Sequence, residues 1–441
     1  MARLMIIQAT GYRARGVRQP YKLRKRKLVG AVLPYLAALA PNDWDVTLRD
    51  DATEEVEYDA PVDAVAITIR TVTSLRGYEI AERFRQRGVP VLMGGPHATF
   101  YADEVARHAD AVCIGEAEGV FPRMLQDAAA GRLQRFYRRD TPALLGNMPT
   151  PRWDLLDPSK YVFYRPFVIQ YSRGCPFVCD FCAERRLNGD YGYRTRPVDE
   201  VVEEIRRAGS RHIFFAASQF AGNTDHALQL MEALIPLKIR WSTLFSAHYC
   251  LDTKFLDLAR RSGLLHVNMG IESIDQKTLK AMHKGFNRVK QYEDVLKNLR
   301  ERGISYSLNF VFGSDSDEED VFETTLRFLD EQKAETAYFN ILVPLRGTSV
   351  YERLKAEGRL FDEENMERWP GLSCHFFPLR FAPDELVRRV AGIRRDFYRH
   401  RSALRRLPFP HRESHLAAWT LHFLQRRVAT NLGAMRDFTE F

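Results

Sequence analysis

Cysteine is scarce in this chain, six in 441 residues, yet three of the six, Cys175, Cys179 and Cys182, stand within "RGCPFVCDFC" (173–182). Spacings of four and three would also align one face of a helix, but Gly174 and Pro176 bracket the first cysteine and oppose a helix that starts earlier. Thiolates this close together point to a metal. A closed structural zinc site takes four ligands, usually as two pairs, and no second pair exists here. A cubane iron-sulfur cluster normally takes four cysteines. Three would leave one iron with an open position, which a catalytic centre keeps for a small molecule. Cys113, Cys250 and Cys374 are lone and far apart, which speaks against a disulfide framework and for a reducing compartment.

The elements that must position these thiols are β/α units. Before residue 145 the runs "RLMIIQA", "DVTLRD", "DAVAITI", "VPVLMGG" and "DAVCIG" alternate with helical stretches such as "SLRGYEIAERFRQRG", the pattern of a doubly wound parallel sheet. Ligands of such sheets bind beyond the C-terminal strand ends, which singles out Thr68, Gly94, Gly95, Gly115 and Glu116. Residues 146–165 lose the period and gather prolines, as an interdomain linker does. From 166 to 350 six more strands, "FVIQYS", "HIFFAAS", "IRWSTLFS", "LHVNMGIES", "SYSLNFVFG" and "TAYFNILVP", alternate with helices, too few for a closed eightfold barrel but enough for a partial (β/α)6 one. The cysteine stretch follows the first of them, at the catalytic end. Residues 351–441 are helical and rich in arginine.

Taken together, CxxxCxxC on the loop after the first strand of a partial barrel resembles the signature of the radical S-adenosylmethionine (radical SAM) superfamily. The resemblance implies that the three cysteines hold a [4Fe-4S] cluster whose fourth iron is chelated by S-adenosylmethionine. One electron then cleaves the sulfonium to methionine and a 5'-deoxyadenosyl radical that takes hydrogen from substrate. It further implies adenine near the backbone of Phe181, ribose or methionine contacts at Glu272 and Ser273 of "GIES" (270–273), and adenine contacts at Gly313 of "FVFG" and at Pro344 and Leu345 of "VPLRGT". After the second barrel strand, where related sequences often carry acids, "AASQF" offers Ser218 and Gln219, and Ser218 is placed with the cofactor residues.

The first domain resembles the cobalamin-binding domain of one subclass, through "YEIAERFRQRGVPVLMGGPHATF" and "HADAVCIGEAEGVFPRMLQD". The Asp-x-His-x-x-Gly motif whose histidine ligates cobalt is absent after the first strand, where "QATGYRARG" stands. His97, after the paired glycines, reads either as a residue facing cobalt or substrate or as a turn residue bonded to backbone. The expected activity is cobalamin-dependent C-methylation of a natural-product or lipid-type small-molecule substrate. Oxidation, cyclisation or rearrangement without cobalamin is the alternative. A flavodoxin or ferredoxin is the expected electron donor.

The net charge of +8 is uneven. Residues 380–441 hold thirteen Arg against six Asp plus Glu, and 12–27 hold eight Lys or Arg and no acid. Such patches attract nucleic acid or an anionic membrane, or are simply a solvated face. Nucleic-acid modification or binding stays a further alternative, but no RNA-binding module is recognisable, so nucleic acid is not an expected partner. The absence of a long apolar run and of a signal-peptide pattern makes cytoplasmic localisation the expectation.

Overall fold

The computed structural model describes residues 1–14, 17–27, 29–162, 168–361, 363 and 371–430. Its first half is a six-stranded parallel sheet built from β1 (Ala2–Gln8), β2 (Trp44–Asp50), β3 (Ala64–Thr68), β4 (Val91–Gly94), β5 (Ala111–Ile114) and β6 (Phe136–Arg138). The strands lie in the order β2-β1-β3-β4-β5-β6. Along β1 the pattern is apolar without alternation because both faces are covered. Leu4 and Ile6 join one core, beneath α1 (Val32–Leu39) and Phe121 and Met124 of α3 (Val120–Ala129); Met5 and Ile7 join the other, beneath Ile80 and Phe84 of α2 (Ser74–Arg85). The strand order reverses between β1 and β3, so a crevice opens above their C-terminal ends.

The second half is a parallel sheet of β7 (Val168–Gln170), β8 (His212–Ala216), β9 (Arg240–Leu244), β10 (Leu264–Glu272), β11 (Ser305–Phe312) and β12 (Thr336–Ile341), in that spatial order. Helices α4 (Val198–Ala208), α5 (Thr224–Leu234), α6 (Thr253–Arg261), α7 (Tyr292–Glu301) and α8 (Val321–Glu331) separate them. All six strands expected from periodicity are present. Residues 146–162 do not run free: Leu156 and Tyr161 are buried in the first core, and Arg152 donates its amide to Pro34. Phe167, which "FVIQYS" includes, lies outside the described residues, as do Arg15, Gly16 and residues 431–441.

On the barrel strands alternate residues face outward to helices or inward to the bore. Val267 and Met269 are fully buried outward, while His266 and Asn268 face in. The bore is polar on one side, with His266, Asn268, Asn309, Tyr338 and Asn340, and more apolar across from it, with Val168, Phe214 and Leu244. His266 is held neutral, its pKa lowered to about 4 by burial, between the hydroxyls of Ser305 (3.1 Å) and Ser307 (2.9 Å).

Three C-terminal helices, α9 (Pro383–Phe397), α10 (His400–Arg406) and α11 (Glu413–Thr430), pack on the barrel's far side and floor. Arg394 donates to the Phe339 carbonyl and Arg406 to the Ala334 carbonyl, so two arginines expected at a solvated face are instead buried donors. The basic stretch near the N-terminus is likewise partly consumed: Lys22 pairs with Asp51 at 3.2 Å and Arg26 with Asp50.

Glu335, just before β12, is 5% exposed and accepts from the Ser305 hydroxyl (2.9 Å) and the Tyr306 amide (3.1 Å). Burial pushes its pKa from 4.5 up to about 7. A raised carboxyl pKa contributes stability that is complete below the unfolded value and lost as pH rises through the folded one. Glu335→Gln should therefore remove a loss on the order of 2 kcal/mol between pH 5 and 8. Urea unfolding at the two pH values measures it; an unchanged difference between them would contradict the buried-acid account.

Candidate active site

Beyond β7, Ser172–Arg173 pairs antiparallel with Arg194–Thr195, which folds residues 174–193 into a loop over the C-terminal end of the barrel. The loop closes at Gly174, whose φ is +79°; a Cβ there would stand 2.1 Å from the Gly192 carbonyl oxygen, so only glycine permits the crossing. Its far side is pinned by the Asp180 amide on Met282 (3.3 Å) and the Val350 amide on Asp180 (3.2 Å). Phe177 stacks on Phe286 with centroids 3.9 Å apart, and Phe181 packs against the barrel core.

The loop presents three free thiols, Cys175, Cys179 and Cys182, close enough to influence one another electrostatically. Burial raises all three, Cys179 to about 12, and the Lys284 ammonium opposes the rise. Lys284 is 8% exposed and bonds Glu272 at 2.7 Å. Burial works against its charge, but Glu272 and the thiols outweigh that and lift its pKa. This donor set suits an iron-sulfur cluster: three thiols on one loop, with a buried cation beside them to offset thiolate charge. Among the described residues no three His, Cys, Asp or Glu side chains already converge on one point, so ligation would draw the thiols together.

A cavity of about 940 Å³ runs from the C-terminal edge of the first sheet into the barrel bore. Thr68, Gly94, Gly95 and Gly115 line its upper part, as the strand-end argument expects. Gly95 has φ +101° and would place a Cβ 2.7 Å from the Ile69 carbonyl oxygen, so glycine lets the backbone cross the end of β3. Apolar side chains including Leu33, Leu92, Phe121 and Met124 cover the walls, and the polar bore residues form the lower part. Leu421 of α11 also lines this cavity.

A family model described as the radical SAM superfamily matches residues 169–329, and one described as the B12 binding domain matches residues 31–125. The chain belongs to the radical SAM superfamily, in its cobalamin-binding subclass. It is 28% identical to bacteriochlorophyllide d C-12(1)-methyltransferase of Chlorobaculum tepidum, over 90% of this chain and 88% of that one. It is 26% identical to hopanoid C-2 methylase of Rhodopseudomonas palustris, over 75% of this chain and 65% of that one. The structure of the radical S-adenosylmethionine methyltransferase TsrM from Kitasatospora setae, with cobalamin and a [4Fe-4S] cluster bound, superposes with a TM-score of 0.62 at 18% identity, covering 81% of this chain and 78% of that one. At that identity the likeness is one of fold.

Within this radical SAM fold the expected residues separate into groups. The thiols, Phe181 and Glu272 gather at the barrel's C-terminal end, and Glu272 holds φ +63° with its carboxylate on Lys284. Ser273 is buried, and its hydroxyl accepts from the Asp275 amide in the turn that starts the next helix. Gly313 lines a separate cavity of about 200 Å³ together with Asp180 and Leu342. Pro344 and Leu345 lie in the turn after β12, where the Leu345 amide bonds Val343. Ser218 is exposed and outside the large cavity, while its neighbour Gln219 is buried and bonds Ser246 at 2.6 Å.

Glu116 does not face the cavity with Gly115. It accepts from Arg173 and Arg194, both at 2.8 Å, across to the barrel. Burial raises its pKa, but the bonds from Arg194, the Ala143 amide and Arg173 outweigh that and hold it below the usual carboxylate range. His97 is fully buried and does not line the large cavity; its ring meets the Tyr78 hydroxyl at 3.0 Å and the Thr71 hydroxyl at 3.4 Å, so its partners are side chains, neither a ligand in the cavity nor the backbone.

Lys284, Arg173 and the polar bore residues of β10 and β11 escaped the sequence reading. The last had a signal: "HVN" in β10 and "SLN" in β11 carry polar residues at every second position, which on barrel strands is the inward set.

Proposed function

We propose that this radical SAM protein uses cobalamin to methylate a carbon of a large, mainly apolar natural-product or lipid-type substrate. The observation that carries the reading is the shared cavity, which joins the ligand edge of the first sheet to the bore of the barrel that carries the cysteine loop. When bound, the cluster with S-adenosylmethionine supplies a hydrogen-abstracting radical and cobalamin supplies the methyl group. The chain's own contribution is placement. Cys175, Cys179 and Cys182 hold the cluster, Lys284 offsets their charge, and Glu272 offers its second oxygen to a ribose hydroxyl. Thr68, Gly94, Gly95 and Gly115 give a low backbone edge for a broad cofactor. Asn268, Asn309 and Asn340 hydrogen-bond oxygen functions on the substrate, while the apolar walls keep water from the radical. A flavodoxin- or ferredoxin-type protein delivers the electron.

The names of the relatives, methyltransferases of bacteriochlorophyllide d and a hopanoid methylase, support a substrate of this size and polarity. The reading without cobalamin draws on one observation: among the described residues of the first domain, no histidine lines the cavity. Anaerobic purification with cobalamin supplied, followed by iron and cobalt analysis, separates the two. About four iron with about one cobalt per chain is expected. Iron without cobalt would defeat the methyltransfer reading and favour oxidation, cyclisation or rearrangement.

A further inference from the structure

The C-terminal helices leave an apolar surface that neither the fold nor the proposed chemistry explains. Phe409 is 81% exposed, Leu404 73%, Leu416 55% and Phe423 51%. These belong to one region. Ala403 and Leu407 of α10 and the turn after it pack on Ala418 and Trp419 of α11, and the Trp419 indole donates to the Pro408 carbonyl at 2.8 Å. His415 lies 2.9 Å from the Phe409 carbonyl oxygen and holds the same turn against α11.

On α11 the exposed positions 413, 416, 420, 423 and 427 form one helical face, while Ala418, His422 and Gln425 on the other are buried. Charge frames the apolar residues. Residues 399–430 hold seven arginines and a single acid, Glu413, which pairs with Arg240 at 2.6 Å. Arg406 is buried, but Arg401, Arg405, Arg412 and Arg427 are exposed around the apolar side chains.

We propose that the face formed by α10, the following turn and α11 docks on the surface of an anionic phospholipid bilayer. Large apolar side chains ringed by arginine match the interfacial region of such a surface, where acyl chains lie below anionic headgroups. A nucleic acid would meet the arginines but leave Leu404, Phe409, Leu416 and Phe423 without an apolar partner. A second copy placed by a twofold axis would bring the same arginines against each other. Among the described residues no helix is long and apolar enough to cross a membrane, so the contact is peripheral. Because Leu421, behind this face, lines the large cavity, docking sets the floor of the barrel against the lipid.

Flotation of the intact protein with vesicles of phosphatidylcholine containing about one third phosphatidylglycerol tests this at low salt. Binding is expected, weaker by at least about tenfold on pure phosphatidylcholine, in high salt, and in Phe409→Ser/Leu416→Ser/Phe423→Ser. Phosphatidylglycerol brominated in its acyl chains should quench tryptophan emission in the wild type and much less in Trp419→Phe. Circular dichroism confirms that each variant is folded. No flotation with anionic vesicles at low salt would overturn the proposal, as would undiminished binding by the triple variant. So would a dimer that the triple variant abolishes, or RNA that outcompetes the vesicles. The assay needs no turnover, so its failure leaves the methyltransfer reading intact.

Discussion

Replacing Cys175, Cys179 and Cys182 together by Ala should leave a folded protein that binds no iron, lacks visible charge-transfer absorption and cleaves S-adenosylmethionine no faster than buffer. The fold should survive because none of the three is a core residue: Cys182 is exposed and the other two are partly so. The loop's anchors, the Arg173–Arg194 strand pairing and the Asp180 bonds, do not involve the thiols. The chemistry should not survive, because thiolates are the only soft donors on the loop and Cys113, Cys250 and Cys374 are buried elsewhere. Anaerobic reconstitution, iron analysis and chromatography of 5'-deoxyadenosine measure both halves. Iron retained together with cleavage would refute the assignment of this loop.

The second large effect concerns the joint between the two halves. Arg173 stands two residues before Cys175 and reaches Glu116 (2.8 Å) and both oxygens of Glu118; Arg194 reaches Glu116 (2.8 Å) and the Ala143 carbonyl (2.8 Å). Tyr35 adds a bond to Glu118 at 2.6 Å. These side chains are mostly buried, Glu116 5% and Arg173 11% exposed, so removing one partner strands charge in a poor solvent. Glu116→Ala takes the carboxylate from the partly buried Arg194, whereas Arg173 keeps Glu118, and should cost about 3–5 kcal/mol. Adding Arg194→Ala should recover part of that loss, a coupling that a double-mutant cycle reads directly.

The functional consequence follows from position. Glu116 belongs to the first domain and the thiols to the second, so Glu116→Ala should spare S-adenosylmethionine cleavage while loosening the register between the halves. The ratio of methylated product to 5'-deoxyadenosine should fall at least about tenfold, since a misplaced reactant loses the advantage of proximity. Equal losses in both products would place Glu116 in the cluster chemistry instead.

The strands and their C-terminal ends are legible in the sequence because their signals are local. A run such as "LMII" in β1 is buried on both faces, and "HVNMGIE" in β10 alternates; each pattern is complete within one element. Short pieces were not readable. The hairpin of Tyr12–Ala14 with Val17–Pro20 and the three-residue β6 are too brief to show a period, and pairing alone makes them strands. Gly115 and Glu116 looked alike as strand-end residues, yet φ +79° at Gly115 turns the chain and sends the glutamate across to the barrel.

By itself the sequence determined the two β/α series, the CxxxCxxC loop after the sixth long strand-forming run, and through them the family. Those features depend on neighbours within a few residues, which the chain order specifies. Only the tertiary structure decided that Glu116 meets Arg173 and Arg194, 57 and 78 residues away, that Lys284 sits against Glu272, and that the bore is polar along one wall. It also decided that α11 turns Leu421 inward and Phe423 outward. Charges and apolar faces are many and mutually compatible in pairs, so composition cannot choose among partners; packing can, because each buried charge and each covered face admits one geometry at a time.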